Sequence, residues 1–464
     1  MAIIDDKGIT TVNPANGEKL KTYAFMTDQQ AADAVANCHK AFTQWKLKSA
    51  EERGEVLKKV GENLKNNKKE FVDLMIDEMG KLKAQGEDEV DLCAAICEYT
   101  AKNGIKELED EERELPNGGR GLITHAPIGV IYGIQPWNFP LYQVMRYTIA
   151  NLMAGNGVLL KHAEGVTGSA LLIERVLKEA GLPENLFTVL IITHDQSDKI
   201  IENDQVRGVT FTGSPKGGRA VAEKAAGALK KTVLELGSND GYMVLDDADL
   251  ETAVEWCVKG RIYNNGETCV AAKRFIVTEK NFDAFTDKYV AKMKQVKLGD
   301  PNDENTQLGP MARKDLRDDL HEQVEQSVKN GAKILCGGEI PEGNGSYYPA
   351  TVLVDVKPGQ PAYDDELFGP VASIIKAKDD EDAMRIANDS RFGLGGGIFS
   401  KDEDKAFELA KTHFDTGMVF VNSFGVAQPN MPFGGVKNSG YGREHGGFGI
   451  KEFVNSKAIM RLNS

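Results

Sequence analysis

The chain is 464 residues long and carries 56 Lys+Arg against 70 Asp+Glu, a net charge of −14 with pI near 5.2. At roughly 100–200 residues per domain, that length implies two to four domains. So acidic a surface repels phosphate backbones and anionic lipid, which excludes general nucleic-acid or membrane-surface partners and leaves a small molecule as the expected one. The start, Met1 to Asp6, has two acids and no basic stretch, so no targeting signal is expected. The uncharged run between His125 and Arg146 is broken by Pro127, Pro136 and Pro140 and makes a poor membrane span. Cys38, Cys93, Cys97, Cys257, Cys269 and Cys336 are scattered as reduced thiols of a cytoplasmic protein would be. Cys93 and Cys97 have no second pair to complete a metal site, so no metal is expected.

In chain order, the first hundred residues read as helices. A Pro14-Ala-Asn-Gly17 turn precedes a helix over Asp28 to Trp45. Ser49-Ala-Glu-Glu52 is a capping box, followed by apolar positions at helical spacing until Gly80 offers a stop. An acidic stretch, Glu107 to Glu114, ends in the Pro116-Asn-Gly-Gly119 turn. Short apolar runs then alternate with helical stretches: 129–134, 157–160, 186–192, 209–212 and 232–236 as strands; 141–154, 168–180, 196–203 and 215–230 as helices. That alternation predicts an α/β fold with a doubly wound parallel sheet, which binds nucleotides at the carboxyl ends of its strands. A second alternating block runs from about Tyr242 to Val421, and the tail ends in a strand near Lys457 to Arg461 whose edge needs a cover.

Four places could carry chemistry. Gly213-Ser-Pro-Lys-Gly-Gly218 follows a strand and opens a helix, so it is either a pyrophosphate site or a plain glycine turn. Cys269 lies in a polar loop after Asn264-Asn-Gly266, as a loop nucleophile or a small buried hydrophobe. Glu235 is an acid in an otherwise apolar strand, facing either solvent or a cleft where desolvation would make it a general base. Asn138, on the double-proline turn Pro136-Trp-Asn-Phe-Pro140, could stabilise an oxyanion or cap the following helix.

That turn, with Leu160-Lys-His-Ala-Glu164, Phe211-Thr-Gly-Ser214, Leu234-Glu-Leu-Gly237, Gly266-Glu-Thr-Cys269, Glu366-Leu-Phe-Gly-Pro370 and Pro432-Phe-Gly-Gly-Val-Lys-Asn-Ser-Gly440, resembles the aldehyde dehydrogenase superfamily in order and spacing over nearly the whole chain. The resemblance implies Cys269 as the nucleophile, Asn138 as oxyanion donor with the Cys269 amide, and Glu235 as activator of the hydrolytic water. It implies a dinucleotide site of Pro136, Trp137, Lys161, Glu164, Gly213, Ser214, Leu236, Gly237, Glu366 and Phe368. Glu164 would accept from a ribose 2′-hydroxyl and repel a 2′-phosphate, favouring NAD, with NADP possible through Lys161.

The wording around Arg146 is similar to the bacterial succinate-semialdehyde dehydrogenases, where an arginine at this place binds the substrate carboxylate. Tyr263 stands where many of those enzymes have a second arginine, and would assist. Ser238 and Glu267 replace a commoner glycine and glutamine. The family's fold implies a Rossmann-type NAD(P)-binding domain over 1–106 and 125–240 and an α/β catalytic domain over 241–425. It also implies a β oligomerisation arm with the C-terminal segment, 107–124 and 426–464, in a homodimer or homotetramer. The expected reaction is oxidation of succinate semialdehyde to succinate, or, alternatively, of a broad range of aliphatic aldehydes.

Overall fold

The computed structural model describes residues 2–5 and 8–462; Met1 and Asp6, which belong to the reading of the N-terminus, lie outside the described residues. Two mainly parallel sheets dominate. The first has six strands in the spatial order Gly440–Tyr441, Lys231–Glu235, Val206–Thr212, Val130–Gln135, Gly157–His162, Phe187–Val189, with only Gly440–Tyr441 antiparallel. The chain enters at Val130–Gln135 in the middle and winds first to one side, then to the other. The strand order therefore reverses beside Val130–Gln135, and the crevice opens where its carboxyl end meets those of Val206–Thr212 and Lys231–Glu235.

The second sheet has seven strands, from Lys333–Cys336 through Thr351–Val354, Val371–Ala377, Arg274–Thr278, Gly241–Val244 and Gly396–Phe399 to Phe420–Val421. Only its first pairing is antiparallel. Val244, Phe275 and Ile374 pack on one face and Met243, Ile276 and Ile375 on the other, the near-continuous apolar strands of a sheet covered on both sides. A third sheet joins Glu111–Leu115, Gly119–Pro127 and Val454–Arg461, the last pair in unbroken register from Val454↔Pro127 to Arg461↔Arg120. Most of Val454–Arg461 is exposed.

Helix signals translate closely. Asp28–Trp45 and Ala50–Asn66 begin at capping boxes on Thr27 and Ser49, and Lys68–Met79 stops at Gly80 in the left-handed region, φ 73°. One expectation needs correction. The first hundred residues also contain a three-stranded antiparallel sheet, Ile3–Asp5, Gly8–Val12 and Lys19–Tyr23, turned at Pro14 to Gly17. Its two outer strands are mostly exposed and lack the apolar alternation that betrays a strand, and only the central Gly8–Val12 is largely buried. In the C-terminal segment, only Val454–Arg461 joins the arm sheet. Val436–Lys437 pairs with Phe392–Gly393 and Gly440–Tyr441 with Lys231–Glu235, so this stretch spans from the second sheet's connections to the first sheet.

Candidate active site

Three strand ends meet in the crevice. Val130–Gln135 delivers Pro136, Trp137 and Asn138; Val206–Thr212 delivers Gly213 and Ser214; Lys231–Glu235 ends on Glu235 itself. With Leu236, Gly237, Cys269, Glu366 and Phe368, these residues line one cleft of 250 Å³. A second cleft of 340 Å³ opens on the other side of Cys269, walled by Phe139, Tyr142, Tyr263, Phe424 and Phe433. Cys269 and Gln143 line both. The thiol stands where ligands in two different clefts could meet at one atom.

The loop that carries Cys269 is built from left-handed backbone. Asn264, Asn265 and Gly266 have φ of 53°, 57° and 77°, conformations that asparagine tolerates and glycine adopts freely. The asparagine side chains hold the loop down. Asn265 Nδ2 donates to the carbonyls of Gly80 (3.0 Å) and Pro310 (2.9 Å), and Asn264 Nδ2 to those of Asn138 (2.9 Å) and Glu267 (3.1 Å). Asn138 Nδ2 donates to the same Glu267 carbonyl at 3.0 Å, while its Oδ1 accepts from Gln143 Nε2 at 3.2 Å. Asn138 therefore ties the proline turn to the cysteine loop. It does not cap the next helix: the amides of Leu141 and Tyr142 donate to Glu89 Oε1, both at 2.9 Å.

Glu235 is 2% exposed and neither carboxylate oxygen has a hydrogen-bond partner. Burial pushes its pKa up, opposed by Arg146 and reinforced by Glu444. A buried, unpartnered carboxyl beside a cysteine can act as a general base once it is ionised. Burial likewise pushes the Cys269 thiol up to about 12, partly offset by Arg146 and Lys273. Lys273 and Gln143 were missed by sequence reasoning. Their one signal was a polar side chain inside an apolar stretch, which also describes many surface residues.

On the dinucleotide side, Ser214 caps the helix Pro215–Gly227, its Oγ accepting from the Gly217 amide at 3.2 Å. The helix start leaves further amides free for an anion. Trp137 and Phe368 meet edge to face at 5.8 Å. Glu366 packs so close to Gly237 that a Cβ there would overlap its carboxylate. A helix N-terminus, an aromatic pair and a carboxylate in one cleft suit a pyrophosphate, a flat ring and a ribose. Lys161 and Glu164 lie outside this cleft, ion-paired with each other at 2.9 Å at the end of Gly157–His162. Burial raises Glu164, but Lys161 outweighs it and leaves the carboxyl below its ordinary value.

Arg146 departs from expectation. It is 1% exposed, lines neither cleft, pairs with the buried carboxylate of Glu444 and donates to Thr212 Oγ1 at 2.7 Å. Its helix, Tyr142–Ala154, is buried along its whole length, so a residue eight positions past Asn138 turns into the core. Tyr263 does reach the second cleft, stacked on Phe139 at 6.4 Å. The cation on that cleft's wall is Lys259, which lies over the Trp256 ring at 4.8 Å. Ser238, the glycine replacement, donates its hydroxyl to Asp240. Among the described residues no cluster of His, Cys, Asp or Glu could hold a metal, and no helix is long and apolar enough to cross a membrane.

Comparison with known proteins agrees with this geometry. The chain is 43% identical over 451 residues to a succinate semialdehyde dehydrogenase [NAD(P)+] of Escherichia coli, covering 97% of each chain. It is 39% identical to a succinate-semialdehyde dehydrogenase [NADP(+)] of Deinococcus radiodurans, covering 98% of this chain and 95% of that protein. The crystal structure of succinic semialdehyde dehydrogenase from Streptococcus pyogenes with NADP+ superposes with a TM-score of 0.95 at 38% identity, covering 98% of this chain and 100% of that one. The sequence model of the aldehyde dehydrogenase family matches residues 3–459, and the chain belongs to that family.

Proposed function

We propose that this enzyme oxidises succinate semialdehyde to succinate with NAD or NADP, through a thioester on Cys269. The observation that carries the reaction is the place of Cys269 between two clefts, one shaped for a dinucleotide and one for an aldehyde. Cys269 Sγ attacks the aldehyde carbon to give a thiohemiacetal, and Asn138 Nδ2 with the Cys269 amide takes the oxyanion. A dinucleotide held by Pro136, Trp137, Gly213, Ser214, Leu236, Gly237, Glu366 and Phe368 supplies, when bound, the hydride acceptor that turns the thiohemiacetal into a thioester. Glu235, as carboxylate, takes a proton from water, whose oxygen displaces the thiolate and releases the acid. Lys161 and Glu164 would hold the far ribose. With Glu164 already paired to Lys161, a 2′-phosphate meets a neutralised pair, so both dinucleotides are accepted.

The names of the relatives, at 39–43% identity, support the substrate. With Arg146 engaged by Glu444, Lys259 is the side chain placed to receive a carboxylate at the wall of the aldehyde cleft. The aromatic lining there favours a second reading, a broad aliphatic aldehyde dehydrogenase. The test is dinucleotide reduction with succinate semialdehyde and with butyraldehyde, for wild type, Cys269→Ala and Lys259→Ala. Loss of both reactions in Cys269→Ala, and loss of only the semialdehyde preference in Lys259→Ala, is the expected result. Undiminished oxidation by Cys269→Ala overturns the mechanism, and equal use of both aldehydes by wild type leaves the broad reading. The arm sheet would carry a homodimer or homotetramer contact, because Val454–Arg461 leaves an edge uncovered.

A further inference from the structure

We propose that Lys273 is a positioning residue that locks the nucleophile loop to the dinucleotide side of the site, gripping the Thr268 and Cys269 carbonyls with the ammonium that pairs with Glu366. The proposal rests on the reading of Cys269 as nucleophile and Glu366 as a ribose ligand. The Lys273 side chain is 2% exposed. Its Nζ lies 2.5 Å from the Cys269 carbonyl oxygen, 3.2 Å from the Thr268 carbonyl oxygen and 3.2 Å from Glu366 Oε1. The two carbonyls accept hydrogen bonds from the ammonium, and Glu366 Oε1, which has no hydrogen bond, stands within ion-pair distance of the same group.

The grip has a geometric consequence. The Thr268 carbonyl and the Cys269 N–H belong to one peptide plane, and in a trans peptide they point to opposite sides. Fixing that carbonyl on Lys273 turns the Cys269 N–H the other way and holds it there. The Cys269 carbonyl, fixed by the same ammonium, immobilises the following peptide as well. The nucleophile is thus held on both flanks while Gly266, in its left-handed conformation, leaves the loop's approach sharply turned.

There is also a consequence for charge. Cys269 faces the cations Arg146 and Lys273 and the acids Glu235 and Glu366. Lys273 stabilises the thiolate and Glu366 opposes it, so the ion pair between them sets how much of the ammonium's field the sulfur receives. Glu366 in turn needs the lysine. Its carboxylate accepts from the Ser238 amide and is only partly exposed, so burial pushes its pKa up and Lys273 opposes that rise; without the lysine the carboxyl would more readily protonate or move. One side chain therefore orients the nucleophile and holds the carboxylate on the dinucleotide side.

The test needs no turnover. Iodoacetamide alkylation of Cys269, followed by peptide mass mapping across a pH series, is compared for wild type, Lys273→Met, Lys273→Arg and Glu366→Gln without dinucleotide. Lys273→Met should raise the midpoint of alkylation by about one pH unit, Lys273→Arg should restore it, and Glu366→Gln should lower it. Fluorescence titration with NAD should show about tenfold weaker binding to Lys273→Met, the loss of about one charge-assisted contact. Wild-type alkylation profiles in both Lys273→Met and Glu366→Gln would overturn the control of the thiol, and unchanged NAD binding would overturn the link to Glu366. If Lys273→Met does not fold, Glu366→Gln alone still decides the first point. A wild type that alkylates as expected but oxidises no aldehyde would overturn the proposed activity and leave the lysine's grip standing.

Discussion

The guanidinium of Arg146 is ion-paired with the carboxylate of Glu444 in the interior and lies over the rings of Phe433 at 5.0 Å and Tyr142 at 5.5 Å. Two charges taken out of water together are stable only as a pair, since removing one leaves the other desolvated and uncompensated. Arg146→Ala should therefore lower unfolding stability by about 3–5 kcal/mol, read as a shift in the urea midpoint. The ratio of activity on succinate semialdehyde to that on butyraldehyde should stay at its wild-type value. A collapse of that ratio would return Arg146 to the substrate.

Glu235 is a base only when deprotonated, and burial holds its pKa above the ordinary carboxylate value. Turnover should accordingly rise with pH over a range where an exposed glutamate would already be ionised. Glu235→Gln should cut steady-state turnover by about 10²–10⁴-fold and abolish that rising limb. The first turnover should survive as a burst of reduced dinucleotide in stopped-flow absorbance, because only release of the acid needs the base. Loss of the burst together with turnover would place Glu235 before the thioester.

Glu89 joins two structures that the active site needs. Its carboxylate accepts from the Leu141 and Tyr142 amides and pairs with the buried Lys81, whose ammonium lies 3.9 Å from the Phe139 ring centroid. Burial lowers the Lys81 pKa, and Glu89 opposes that loss of charge. Glu89→Ala should cost about 3–5 kcal/mol in the urea midpoint and loosen the turn that carries Asn138. Glu89→Gln, which keeps an acceptor for the amides, should cost less. Equal losses for the two variants would mean that the helix cap contributes nothing.

His162 is held neutral. Its Nε2 lies 2.8 Å from the Pro140 carbonyl and its Nδ1 lies 3.0 Å from the Ala163 amide and 3.2 Å from the Gln135 carbonyl, and burial outweighs the two carbonyls that would favour the charged ring. Burial pushes its pKa down to about 4. A lowered histidine binds fewer protons folded than unfolded, so stability is full above its ordinary value of 6.5 and falls as pH drops from there toward 4. Urea midpoints at neutral and mildly acid pH should show this decline in wild type and a flatter one in His162→Gln. Parallel declines would assign the acid sensitivity to other groups.

Local signals were legible wherever chemistry is local. The capping box at Ser49, the stop at Gly80 and the alternation of strand and helix all depend on residues within a few positions of one another. Cys269, Glu235 and Asn138 stood out because each is a reactive or polar group where its neighbours argue for something else. The N-terminal sheet was hidden because its two outer strands are largely exposed and carry no apolar face.

By itself, the sequence determined the α/β architecture, the order of the motifs and the identity of the chemical groups, since periodicity, turn residues and side-chain type are properties of short segments. Only the tertiary structure decided which groups meet. Arg146 pairs with Glu444, Lys273 lies between the Cys269 carbonyl and Glu366, and Asn264 and Asn265 pin the loop before Cys269 to distant carbonyls. Buried charges and buried amides choose partners by proximity in three dimensions, because each one left unpaired in the interior costs more than any local preference can return.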